Sequence, residues 1–171
     1  MCGAVGVRSP HLEERALEIA LPYVERFDAF RDNPWPILYR DLDRLVPGSR
    51  FILTTRDLDS WVRSAVGHFG NDDTPMRAWI YGAAHPLGNE DVYRDRHARH
   101  VAEVREHFRG RPGDFLELAL VEGEGWEKLC AFLGAPLPGV PFPNRAPRRK
   151  KRPLHRRAAA WAWRTLQGRP R

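Results

Sequence analysis

The succession of apolar patterns along the chain predicts an α/β fold, a parallel sheet flanked by helices and richer in helix than in strand. Three observations carry that expectation. Two short runs, RFILTT at residues 50–55 and FLELAL at residues 115–120, have strand length, and each follows a Pro/Gly turn. Segments of helical periodicity come after each run and fill the interval between them, the rhythm of a parallel α/β layer. A 171-residue chain that is 42% hydrophobic, with 6 Trp, 8 Phe and 4 Tyr, has material for one domain core and an appendage.

The elements follow in order. Residues 11–27 place Leu12, Ala16, Leu17, Ile19, Ala20, Val24 and Phe27 at helical spacing, with Pro22 as a late break or kink. Residues 34–46 read as a second helix with Ile37, Leu38, Leu42 and Leu45 on one face, stopped by Pro47-Gly48. The strand at residues 50–55 leads to Asp57, a side chain able to cap a helix reaching Phe69, with Trp61, Ala65 and Phe69 four residues apart. Residues 70–75 form a polar connection and residues 76–84 a short helix. The longest helix spans residues 89–108, its buried stripe being Val92, Tyr93, His97, His100, Val101, Val104 and Phe108. A GRPGD turn precedes the second strand. Gly123 to Gly125 then turn the chain into a helix at residues 126–133, ended by Gly134. Residues 135–147 are rich in proline and read as irregular.

Charge is divided unevenly. The whole chain has 28 Lys+Arg and 22 Asp+Glu, a net charge of +6, yet 11 of the basic residues and none of the acidic ones lie in residues 145–171. The body is therefore acidic, which excludes a uniformly basic nucleic-acid binder, and residues 145–171 form a separate basic tail. Within that tail Trp161, Trp163 and Leu166 give residues 156–167 an apolar side. A basic block beside tryptophans suits an anionic membrane surface, or a nucleic-acid backbone less well, or it docks on the body. Cys2 and Cys130 make no disulfide framework, and no secretory signal or membrane-spanning run is visible. A cytoplasmic location is expected.

The segment FILTTRDLDSWVRS, residues 51–64, carries the candidate chemistry. A strand delivers Arg56 to its C-terminal edge, where open α/β sheets bind ligands, and Ser64 follows two turns into the next helix. Arg56 offers a planar fork suited to a phosphate, and Ser64 a hydroxyl for the same anion. Alternatively, Arg56 pairs with Asp57 or Asp59 and Ser64 packs as a small residue. Asp32, just before Asn33-Pro34, is either a turn residue or a general base. His97, His100 and His107 read as packed histidines rather than a metal site, Cys130 as a core thiol, and His68 as a weaker substrate-facing candidate.

Four landmarks add a resemblance: FDAFRDNPW at residues 27–35, PGSRFILTTRD continuing to SWVRS at residues 47–64, GWEKLCAFLG at residues 125–134, and PFPN at residues 141–144. In this order and spacing the chain resembles the sulfotransferases that use 3′-phosphoadenosine 5′-phosphosulfate (PAPS) on a P-loop-type α/β fold. The resemblance implies that residues 27–35 hold a strand and turn, and that Arg56 and Ser64 grip the 3′-phosphate of PAPS. It places Asp32 where relatives carry the catalytic base. The implied activity is transfer of a sulfuryl group to a hydroxyl or amine of a small-molecule or glycan acceptor, with no metal.

Such folds open with a strand and a Gly- and Ser/Thr-rich loop for the phosphosulfate. MCGAVGVRSP, residues 1–10, does not match that pattern. The expectation is therefore a sulfotransferase-like domain over residues 1–144 that lacks this strand and loop. Truncation, loss of catalysis, or a partner supplying the missing half would each account for that. The rival readings are a non-catalytic anion- or nucleotide-binding remnant and a module acting through its basic tail.

Overall fold

The computed structural model of the chain describes residues 10–143. Helix α1 (Pro10–Val24) is followed by a 3-10 turn (Trp35–Ile37) and α2 (Tyr39–Leu45). Strand β1 (Phe51–Thr54) leads into α3 (Leu58–Phe69), α4 (Pro75–Tyr81) and α5 (Glu90–His107) before β2 (Phe115–Leu118). A second 3-10 turn (Leu120–Glu122) and α6 (Trp126–Leu133) complete the set. The fold is helix-rich α/β, with a two-stranded parallel sheet in the register Phe51↔Phe115 to Thr54↔Leu118. The Met1–Ser9 segment, Asn144 and the basic tail with Trp161 and Trp163 lie outside the described residues.

Two differences from the sequence expectation have local causes. Residues 27–35 form a loop, not a strand. Their polar stretch from Arg31 to Asn33 has no alternation to bury, and Pro34 inside the segment and Pro36 just past it each lack a ladder donor. Residues 34–46 divide into a 3-10 turn and a seven-residue helix because both prolines fall in the first turn, where Pro is tolerated but no full α ladder forms.

Paired residues of a parallel sheet point to the same side, so the register assigns two faces. Phe51, Leu53 and Phe115 pack on Tyr39, Val104 and Phe108, joining α2 and the C-terminal turns of α5 to one face. Phe115 stacks flat on Phe108 at 5.1 Å between ring centroids. On the other face α6 packs against β2, where Leu118 is 2% exposed, but Ile52 of β1 remains 42% exposed. A second core holds α1 to α4 and the first 3-10 turn through Ala16, Ala20, Leu38, Met76 and Ile80. Alanines at 16 and 20 let α1 approach closely.

Capping fixes the helices between the strands. The Asp57 carboxylate accepts from Ser60 N–H at 2.7 Å to start α3, and Gly70 at φ 54 ends it, a backbone angle that favours glycine. Thr74 Oγ1 accepts from Arg77 N–H at 3.2 Å, with Pro75 in the first turn of α4. Thr74→Ala should therefore cost about 1 kcal/mol, read as a lower urea midpoint at unchanged slope. No helix among the described residues is long and apolar enough to cross a membrane.

Candidate functional site

β1 ends at Thr54, and the Thr55 N–H donates to the Leu118 carbonyl at 3.0 Å, the last rung of the sheet. Arg56 comes next, in the short connection to α3, half-buried at the C-terminal edge of the sheet. Its Nη2 donates to the Ser60 hydroxyl, in the first turn of α3. Its Nε is buried and has no hydrogen-bond partner. An orphaned buried donor costs roughly 1–3 kcal/mol.

The two neighbouring acids are engaged elsewhere. Asp57 caps α3 through Ser60 N–H, and Asp59 pairs with Arg94 of α5. No carboxylate among the described residues pairs with Arg56. A cation beside two acids normally collapses onto one of them; here the cap and the α3–α5 bridge hold both away. The positive end of the α3 dipole adds to the same field.

Ser64 is exposed on α3, one turn beyond Ser60, and helical spacing puts both hydroxyls on one face with Arg63 and Gly67. The structure thus brings Arg56 to Ser60 directly, with Ser64 about 6 Å further along that face. A phosphate accepting from both sides spans roughly that distance, since each hydrogen bond reaches about 2.8 Å. Ser60 was missed by sequence reasoning, although its spacing of four from Arg56 is visible in RDLDS.

Asp32 stands apart from these groups. Its side chain is 86% exposed, with Arg31 Nε at 3.9 Å, and its backbone is left-handed at φ 64, a conformation Asp tolerates. Its carbonyl accepts from Trp35 N–H at 3.2 Å, so it shapes the turn before the 3-10 segment. No contact joins it to Arg56 among the described residues.

The histidines have separate surroundings. His97 stacks on Trp61 at 4.0 Å, and burial pushes its pKa down, helped by Arg96. His100 meets the edge of Tyr39 at 5.9 Å, and His107 Nε2 lies 2.8 Å from Asp43 Oδ2. Among the described residues no three metal-binding side chains converge. His68 is exposed with its ring edge-on to Phe69, and Cys130 is buried in α6. His85 Nδ1 lies 2.6 Å from Asp73 Oδ1 and fastens the connection between α3 and α4 to that between α4 and α5.

The family model described as Sulfotransferase domain matches residues 20–88 and 74–150. The chain belongs to the sulfotransferase family. No curated protein and no solved structure matches it significantly. The matched span takes in β1, the Arg56 connection, α3 and β2 of this sulfotransferase-family chain, together with Asp32. The helix-rich α/β layer with its parallel strands is consistent with the P-loop-like fold of that family.

Proposed function

We propose that this sulfotransferase-family protein binds PAPS by its 3′-phosphate and directs its sulfuryl group to a hydroxyl or amine acceptor. The observation that carries the reading is Arg56. A guanidinium at the sheet's C-terminal edge, without a carboxylate partner and beside the hydroxyl face of α3, is suited to an oxyanion supplied from outside. Arg56 supplies charge and a planar donor edge, and Ser64 supplies a hydroxyl donor from the exposed face. Both favour a ribose 3′-phosphate, the group that distinguishes PAPS from a plain adenine nucleotide.

The donor provides an activated sulfuryl group whose bridging oxygen leaves with the 5′-phosphate. This chain's contribution to the transfer is to hold the nucleotide and to accept a proton. In this reading Asp32 takes the proton from the acceptor as that acceptor's oxygen or nitrogen bonds to sulfur and the bridging S–O bond breaks.

Calorimetry with adenosine 3′,5′-bisphosphate, using adenosine 5′-monophosphate as the control, tests the donor half. The bisphosphate should bind at least tenfold more tightly, and equal affinities would refute the reading. Release of adenosine 3′,5′-bisphosphate from PAPS in the presence of acceptor tests the transfer. Asp32→Asn should lower that rate by about 100-fold, within the range for loss of a general base, while nucleotide affinity stays unchanged.

A further inference from the structure

We propose that Ser60 is a positioning residue of this anion site, holding the Arg56 guanidinium over the first turn of α3 so that its remaining donor edge faces Ser64. The proposal rests on the 3′-phosphate reading of Arg56 and Ser64, and names the residue that makes the pair work together.

Ser60 is bonded at two points. Its backbone N–H donates to Asp57 Oδ1 at 2.7 Å, and its hydroxyl oxygen accepts from Arg56 Nη2. The first bond keeps the Asp57 carboxylate at the helix cap; the second keeps the neighbouring cation away from that carboxylate. Arg94 completes the arrangement by engaging Asp59. Without the Ser60 hydroxyl, the long Arg56 side chain regains rotamers, including those that reach the acids at 57 and 59. Order and availability would be lost together.

Substitution separates this role from a structural one. Ser60→Ala removes the hydroxyl but preserves the backbone bond to Asp57, and alanine is the better helix former, so thermal stability should hold or rise. Affinity for adenosine 3′,5′-bisphosphate should fall about tenfold, affinity for adenosine 5′-monophosphate should stay unchanged, and Ser60→Thr should restore most of the loss. Parallel calorimetry on Arg56→Ala identifies which idea fails. If Arg56→Ala loses the bisphosphate while Ser60→Ala binds it as the wild type does, the positioning role is refuted and the 3′-phosphate reading stands. If the wild type does not prefer the bisphosphate, or Arg56→Ala binds it normally, both fall.

Discussion

Arg56→Ala is expected to weaken binding of adenosine 3′,5′-bisphosphate by on the order of 100-fold, about 3 kcal/mol, with the fold intact. The magnitude follows from removing charge-assisted hydrogen bonds to a phosphate at a partly desolvated sheet edge, each worth roughly 1.5–3 kcal/mol. Stability should change little, because the side chain makes one hydrogen bond and leaves its buried Nε unpaired. Arg56→Lys should fall between the two, keeping the charge but not the fork. Raising salt should weaken the wild type more than the alanine variant, since screening acts on the charge that only the former has. Calorimetry at two ionic strengths reads all three effects, and an unchanged affinity for Arg56→Ala would remove Arg56 from the site.

Asp43→Ala is expected to be the most destabilising of the substitutions considered, at about 3 kcal/mol. The Asp43 side chain, in α2, is 14% exposed and accepts from both Arg111 Nη atoms at 2.7 Å. His107 Nε2 at the end of α5 lies 2.8 Å away. Arg111 Nε also reaches Asp114 Oδ2 at 2.8 Å, and the Asp114 carbonyl accepts from Phe51 N–H at 2.7 Å, the first rung of the sheet. One carboxylate thus ties α2, α5 and the entry to β2 together. Removing it strands Arg111 beside a single remaining acid and loosens the turn that sets the strand register. In chemical denaturation the midpoint should drop with little change in slope.

The same cluster predicts a pH dependence. The bond from Arg111, reinforced by His107 and opposed by burial, pulls the Asp43 pKa down from 3.8 to about 2. A depressed carboxylate pKa gives stability that is present in full above the unfolded-state value and lost as pH falls through the folded one. About 2 kcal/mol should therefore disappear between roughly pH 4 and pH 2 in the wild type. Asp43→Asn keeps the shape but not the charge, so its stability should fall less over that interval. Parallel acid limbs for the two proteins would rule out this assignment.

Local signals were legible in the sequence wherever one segment contains the whole cause. Asp57 read as a cap because it stands just before the helix and the Ser60 N–H that its carboxylate accepts is three residues on. The strands of Phe51 and Phe115 stood out between Pro/Gly turns. Residues 27–35 misled because their likeness to a strand-bearing segment outweighed Pro34 and a polar centre. The fate of Arg56 was not legible: whether it would pair with Asp59 depended on Arg94, which α5 brings across from a distant part of the chain. The same holds for the Asp43–Arg111–His107 cluster, whose members gain partners only after α2 and α5 meet. Ser60 was not legible for a different reason: its bond to Arg56 depends on how the guanidinium lies over the start of α3, which the spacing alone does not fix.

The pairing of β1 with β2 bears on the order in which the molecule comes together. Between the two strands lie α3, α4 and α5, so their ladder cannot close until that whole excursion has been reeled in, and the entropy of closing so long a loop is met before any rung forms. Helix pairs such as α3 with α5 are the natural early nucleus, and the strand ladder a late step. On a ribosome, Arg56 would emerge well before the strand that fixes its neighbourhood, and the rung beside it would form only when Leu118 arrives. Pulse-labelled hydrogen exchange should accordingly protect the amides of Leu53 and Thr55 after those of α5.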